Sequence, residues 1–134
     1  MLIRFNEIVG KYGIPSGIIH IGAHLMEERS DYLSNGVDRI IWVEANPSIY
    51  PKIESVNENK NERVFNFAIS DTDDKLIKLN ITNNGQSSSI LDLEKHKIHH
   101  PSIFVTESVE VRSKRMDTLI SENNINILDF DFIN

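Results

Sequence analysis

No cysteine occurs in the 134 residues of this chain, which excludes disulfides, thiolate nucleophiles and cysteine-ligated zinc together. Positive charge is also in short supply. Lys and Arg total 14 against 20 Asp and Glu, a net charge of −6. The basic residues are scattered, and Arg112, Lys114 and Arg115 form the only local cluster. A general nucleic-acid surface needs clustered cations to neutralise phosphates, so no nucleic-acid partner is expected. Long apolar runs are missing as well. Nothing approaches the roughly 18 residues of a membrane span, and the N-terminus lacks a basic, apolar, small-residue signal order. The expectation is a soluble cytoplasmic protein with no membrane partner. Its length suits a single α/β domain, residues 1–134, with one core.

What is present is an apolar run closed by a glycine turn, Ile18-Ile19-His20-Ile21-Gly22-Ala23-His24. Twenty residues beyond that turn comes a second apolar run that ends in a carboxylate, Ile40-Ile41-Trp42-Val43-Glu44. A strand that runs through glycine into a helix cradles a nucleotide, and an acidic strand end about 20 residues on grips a ribose. Glycine lets the backbone approach a ligand, and the helix that follows points free N–H groups into the same space. Glu44 accepts hydrogen bonds only, which suits a ribose diol. A dinucleotide would call for the fuller G-x-G-x-x-G, with room for a pyrophosphate. Here the turn has one glycine, and Met26 stands where a later one is expected. A cofactor without phosphate, such as S-adenosylmethionine, asks less of the loop.

The hydrophobic period sets the organisation. Leu2, Ile3, Phe5, Ile8 and Val9 recur at helical spacing before Gly10, Gly13 and Pro15. Residues 18–23 and 39–44 read as strands covered on both faces. Glu27 to Leu33 reads as a helix between them, stopped by Asn35-Gly36. Asn46-Pro47-Ser48 opens another helix, residues 57–62 are polar and loop-like, and Arg63 to Ile69 forms a third strand before Ser70-Asp71. The period then changes. Lys75 to Ile81 and Val105 to Arg112 alternate as antiparallel strands do, with a turn signal at Asn83-Asn84-Gly85. Lys114 to Asn123 reads as a helix and Ile127 to Ile133 as a final strand. Strand–helix alternation predicts a parallel α/β sheet with a hairpin-like insertion. Because ligands bind beyond the carboxyl ends of strands, a chain that stops on a strand reads as a fragment.

Taken in order, these segments resemble the FkbM-type family of S-adenosylmethionine-dependent methyltransferases. The matching residues are His20 to His24, Val43-Glu44-Ala45-Asn46-Pro47, Asn66 to Asp71, Gln86 to Ile90, Val111 through Leu119, and Leu128 to Asn134. The family's first motif looks like Asp-x-Gly-Ala-Asn-x-Gly. In this chain His20 replaces the acidic residue, His24 the Asn and Met26 the second glycine. The resemblance implies a doubly wound, Rossmann-like class I methyltransferase sheet. This chain would carry strands one to four plus a β-hairpin insertion, and would stop where an Asp-x-Glu-Gly motif starts. It also implies S-adenosylmethionine as cofactor, held by His20, Gly22, Ala23, His24, Glu44, Ala45, Ser70 and Asp71. In this scheme Glu44 takes the ribose, the two histidines the methionine end, and Ser70 and Asp71 the adenine edge. The reaction implied is O-methylation of a sugar or small metabolite, with a small-molecule or glycan acceptor.

Other groups are weighed and set aside. His96, His99 and His100 lie near Glu94, but the spacing is not H-E-x-x-H and Pro101 follows at once, so a surface loop is expected and no metal. Ser87-Ser88-Ser89 is either a lid or a turn. Asp117 is expected to cap or pack locally. No catalytic base is identifiable, His24 being one candidate. Two other readings stay open: a non-catalytic nucleoside-binding or assembly module, and, less favoured, a dinucleotide-binding domain. If the chain is a fragment, its last strand exposes an unpaired edge, so a homodimer and no activity of its own are expected.

Overall fold

The computed structural model describes residues 3–82 and 105–134. At its centre four parallel strands lie in the order β3-β2-β1-β7: β3 is Glu62–Phe65, β2 Ile40–Val43, β1 Ile18–Ile21 and β7 Phe132–Ile133. The register places Ile18 beside Ile40 and Phe132, and His20 beside Trp42. β1 and β2 are continuous apolar runs because both faces of the sheet are covered. On one face α1 (Phe5–Tyr12) and α2 (Arg29–Ser34) bring Phe5 and Tyr32 against Ile18, Ile40, Trp42 and Val64. On the other, α4 (Met116–Glu122) sets Leu119 against Ile19, Ile41 and Val43. Another helix, α3 (Tyr50–Ile53), is one turn long and runs into a 3₁₀ segment, Glu54–Glu58. Among the described residues no helix is long and apolar enough to cross a membrane.

A second sheet has the order β4-β6-β5, built from Ala68–Ile69, Val105–Lys114 and Leu76–Thr82. β5 and β6 pair antiparallel from Leu76–Arg112 to Thr82–Val105, as the alternating pattern predicts. Ala68, Leu79, Ile81 and Val111 form its core. The architecture is therefore the expected mixed α/β one, a parallel Rossmann-like sheet with a hairpin beside it.

Three segments depart from the sequence reading. The expected strand from Arg63 to Ile69 is split: β3 belongs to the parallel sheet and β4 to the second. Asn66 marks the break, where its side-chain amide, and no longer the backbone, meets the β2 side, donating to the Glu44 and Ala45 carbonyls at 2.7 and 3.3 Å. The expected strand from Ile127 to Ile133 begins instead as a 3₁₀ turn, Ile127–Asp129, opened by Asn126, whose side chain accepts from the Leu128 N–H at 3.1 Å. Leu128 is 86% exposed there, and pairing with β1 begins only near the end of the segment, at Phe132 and Ile133, with Asn134 continuing it. Finally, β6 runs on to Lys114, and α4 starts two residues later than expected.

The end of the chain is tied tightly to the entry of β1. Ser16 donates its backbone N–H and its hydroxyl to the Asp131 carboxylate, and the Asp131 N–H returns to the Gly17 carbonyl. A Cβ on Gly17 would stand 2.4 Å from the Asp129 carbonyl oxygen and 2.8 Å from the Phe130 ring, so only glycine lets the two segments meet.

Candidate functional site

Five of the eight residues singled out in the sequence, Gly22, Ala23, His24, Glu44 and Ala45, meet at the carboxyl ends of β1 and β2, the place where open α/β sheets put their ligands. Gly22 and Ala23 both donate backbone N–H groups to the Val43 carbonyl, at 2.8 and 3.0 Å, which folds the turn onto the end of β2. Gly22 sits at φ +85° with no heavy atom within 4 Å of where a Cβ would be. That conformation favours glycine, and the open space is what a close ligand needs.

Glu44 lies in this corner, 8% exposed. One carboxylate oxygen accepts the His24 N–H at 2.7 Å and the other accepts the Asn46 N–H at 2.7 Å. The strand-end acid therefore ties the glycine turn to the start of the segment after β2. Two oxygens offer about four acceptor positions, so two remain for a ligand. Asn46, itself buried, accepts from Ser48 N–H through its side chain at 2.9 Å and so opens the turn toward α3. Asn66 holds the other side of the corner through the Glu44 and Ala45 carbonyls. Sequence reading gave Asn66 no individual role. An amide just past a strand in register with β2 is the signal that was available.

The loop between β1 and α2 carries the substitutions of the expected motif. His24 has φ +48° and Met26 φ +59°, the left-handed region that costs a non-glycine residue about 1–2 kcal/mol. Met26 stands where a glycine is expected, and the backbone there has the shape a glycine would take. Burial of the Met26 side chain in the core with Tyr32 and Trp42 offsets that strain. His24 places Nδ1 2.6 Å from Glu27 Oε1. Partial burial pushes the Glu27 carboxyl up, but the His24 hydrogen bond and the backbone outweigh it and hold it below its ordinary value.

His20 does not join this corner. It is 5% exposed and faces the α1–α2 side, its ring 5.0 Å from that of Trp42. Nδ1 lies 2.8 Å from the Tyr32 hydroxyl, and the Asn134 amide lies 2.7 Å from that hydroxyl and 3.3 Å from Nδ1. Burial lowers the pKa of His20 despite the nearby Glu28 charge. Ser70 and Asp71 follow β4 on the second sheet. The Ser70 N–H reaches the Lys114 carbonyl, and the Ser70 and Thr72 hydroxyls both donate to Asp71 and hold its carboxyl low. Gly22, Ala23, His24, Glu44 and Ala45 thus form one corner, with His20 beneath it and Ser70 and Asp71 on the adjoining sheet. The Ser87–Ser89 segment and His96, His99 and His100 lie outside the described residues.

No match was found among curated proteins or among solved structures. The family described as Methyltransferase FkbM domain matches residues 20–134, from the histidine at the centre of β1 to the residue after β7. The chain belongs to the FkbM family of methyltransferases.

Proposed function

We propose that the corner between β1 and β2 binds S-adenosylmethionine and that the protein transfers its methyl group to a hydroxyl of a sugar or small metabolite. The observation that carries this reading is Glu44, whose carboxylate is clamped to the glycine turn by two backbone N–H groups and keeps acceptor positions for a ribose diol. A single open glycine at φ +85°, with no second one to make a pyrophosphate cradle, favours a phosphate-free nucleoside over a dinucleotide.

When bound, the cofactor supplies a methyl group on a sulfonium. The chain's own contribution is binding and orientation, which carry much of the rate in such a transfer. Glu44 fixes the nucleoside through its ribose, and the Gly22–His24 backbone closes over the remainder. A hydroxyl acceptor must also lose its proton. His24 is the candidate base, because the Glu27 carboxylate holds Nδ1–H and leaves Nε2 free to accept.

Isothermal titration with S-adenosylhomocysteine and with NAD tests the reading. S-Adenosylhomocysteine is expected to bind more tightly, and tighter NAD binding would overturn the proposal. Glu44→Ala is expected to weaken S-adenosylhomocysteine by about 1–3 kcal/mol through ligand hydroxyls left unpaired. Asp117→Ala is the control, since Asp117 is exposed and bonded to Arg115. Equal affinities for the two variants would take the ribose from Glu44.

A further inference from the structure

His20 lies on β1 two residues before Gly22, in a polar chain that runs from half-buried Asn134, the residue after β7, through buried Tyr32. Asn134 continues the β7 ladder: its N–H donates to the Ile19 carbonyl at 3.0 Å, and its carbonyl accepts the Ile21 N–H at 2.9 Å. That pairing delivers its side chain to the Tyr32 hydroxyl at 2.7 Å. Tyr32 is fully buried, and burial pushes its hydroxyl pKa up to about 12, so it keeps its proton. Because the amide of Asn134 donates to that oxygen, the hydroxyl proton is free to point at His20 Nδ1, 2.8 Å away. Two donors, Tyr32 and Asn134, therefore converge on Nδ1. With both groups donating, Nδ1 is the acceptor and the ring proton is assigned to Nε2. Nε2 lies 4.0 Å from Glu28 Oε2, on the side of the loop that runs from Gly22 to Glu28. The ring also meets the Gly22 backbone, an interaction that favours a proton on the ring.

We propose that His20 is a positioning residue for the cofactor turn, locked by Tyr32 and Asn134 in the Nε2–H tautomer so that its proton holds the Gly22–Glu28 loop in place. The inference rests on the proposed cofactor corner for its consequence, but the lock itself is a property of the free protein. It joins the end of β7 to the turn that closes on Glu44, two parts of the sheet edge far apart in sequence. Tyr32 and Asn134 touch no reacting atom in this scheme. They act through His20.

Tyr32→Phe removes one oxygen and keeps the ring that packs edge-on against Phe5 and stacks on Trp42. Long-range proton–nitrogen NMR of the free protein reads the tautomer. The wild type is expected to show His20 as Nε2–H, and Tyr32→Phe a mixture of tautomers, with the amide signals of Gly22, Ala23 and His24 displaced. Val37→Ala, which loses buried apolar contact in the same core, is expected to leave those amides and the tautomer unchanged. S-Adenosylhomocysteine is expected to bind Tyr32→Phe about tenfold more weakly, as loss of one hydrogen bond in the positioning chain implies, and to bind Val37→Ala as it binds the wild type. An Nδ1–H tautomer in the wild type, or loop amides that do not respond to Tyr32→Phe, would overturn the proposal. If the wild type bound no S-adenosylhomocysteine while the tautomer and loop shifts behaved as expected, the positioning role would stand and the cofactor reading would fall.

Discussion

Glu44 and Glu62 are both buried carboxylates on neighbouring parallel strands, 8% and 3% exposed, yet their surroundings are opposites. Glu62, at the start of β3, is surrounded by side chains. Arg29 grips it through Nε and Nη2, Asn59 donates at 2.8 Å and the Trp42 indole N–H at 3.4 Å. Glu44, just past the end of β2, receives one backbone N–H on each oxygen and, among the described residues, no cation. Burial pushes the Glu62 carboxyl up, but the Arg29 and Asn59 hydrogen bonds, the Arg29 charge and Trp42 outweigh it and hold the group below the ordinary glutamate value. The lesson is that burial alone does not mark a functional acid. A carboxylate whose acceptor positions are filled by side chains fastens helix to strand. One held by loop backbone, with positions to spare at the carboxyl end of a parallel sheet, is placed to receive a ligand.

The largest expected effect tests the first half of that contrast. Arg29→Ala leaves Glu62 charged in the core without its cation and is expected to cost about 3 kcal/mol of stability in urea unfolding. The cofactor affinity of the molecules that remain folded should not change. Glu44→Ala should reverse the order, with weaker binding and a smaller loss of stability. If the two variants behaved alike, the contrast would dissolve.

A smaller effect is expected at Met26, on the loop that carries the His24 N–H to Glu44. Met26→Gly relieves about 1–2 kcal/mol of left-handed strain but removes a buried side chain worth about 2–5 kcal/mol. The net expectation is a stability loss of about 1–3 kcal/mol with cofactor affinity kept or improved, measured by urea unfolding and titration together. A gain in stability would mean that the loop, and not the core contact, dominates at this residue.

The smallest effect is in pH dependence. The folded-state pKa of His20 is lowered, so between that value and the ordinary one of about 6.5 the unfolded chain takes up a proton that the folded chain refuses. The stability involved is present above about pH 6.5 and is lost as pH falls through the folded value. Glu62, also lowered, contributes stability above about pH 4.3 that is lost as pH falls through its folded value. Thermal melts from pH 8 downward should therefore decline in two stages, and Arg29→Ala should reduce the acid stage alone. An unchanged acid stage in that variant would detach Glu62 from the lower step.

Much of this was legible in the sequence. The glycine turn, the acid twenty residues on, and the change from buried to alternating period located β1, β2 and the β5–β6 hairpin, because hydrophobic period and turn chemistry act locally. Asn66 was harder, since the amide at the break acts through carbonyls at the end of a neighbouring strand. Ile127 to Ile133 misled because its alternation of apolar and acidic residues fits a strand, while Asn126 bends the segment into a 3₁₀ turn. His20 was read as a cofactor contact, and its packing beneath the corner depends on Tyr32 and Asn134, 12 and 114 residues away. Glu62 reads from the sequence as the end of a polar loop, yet it opens β3 and is buried, because its arginine lies 33 residues before it on another element.

The meeting of Gly17 with the segment 129–131 also has a bearing on the order in which the molecule is assembled. The contacts from Ser16 to Asp131 span 115 residues, and a loop of that length closes late because its entropy must be met before the contact gives anything back. As the chain leaves the ribosome, β1, β2 and β3 have what they need to pair well before residues 131–134 exist. Until those residues arrive, β1 lacks its β7 neighbour, and His20 has Tyr32 beside it but not Asn134. The glycine turn is thus shaped early and secured later, so a nascent chain carries the motif before it can hold it still.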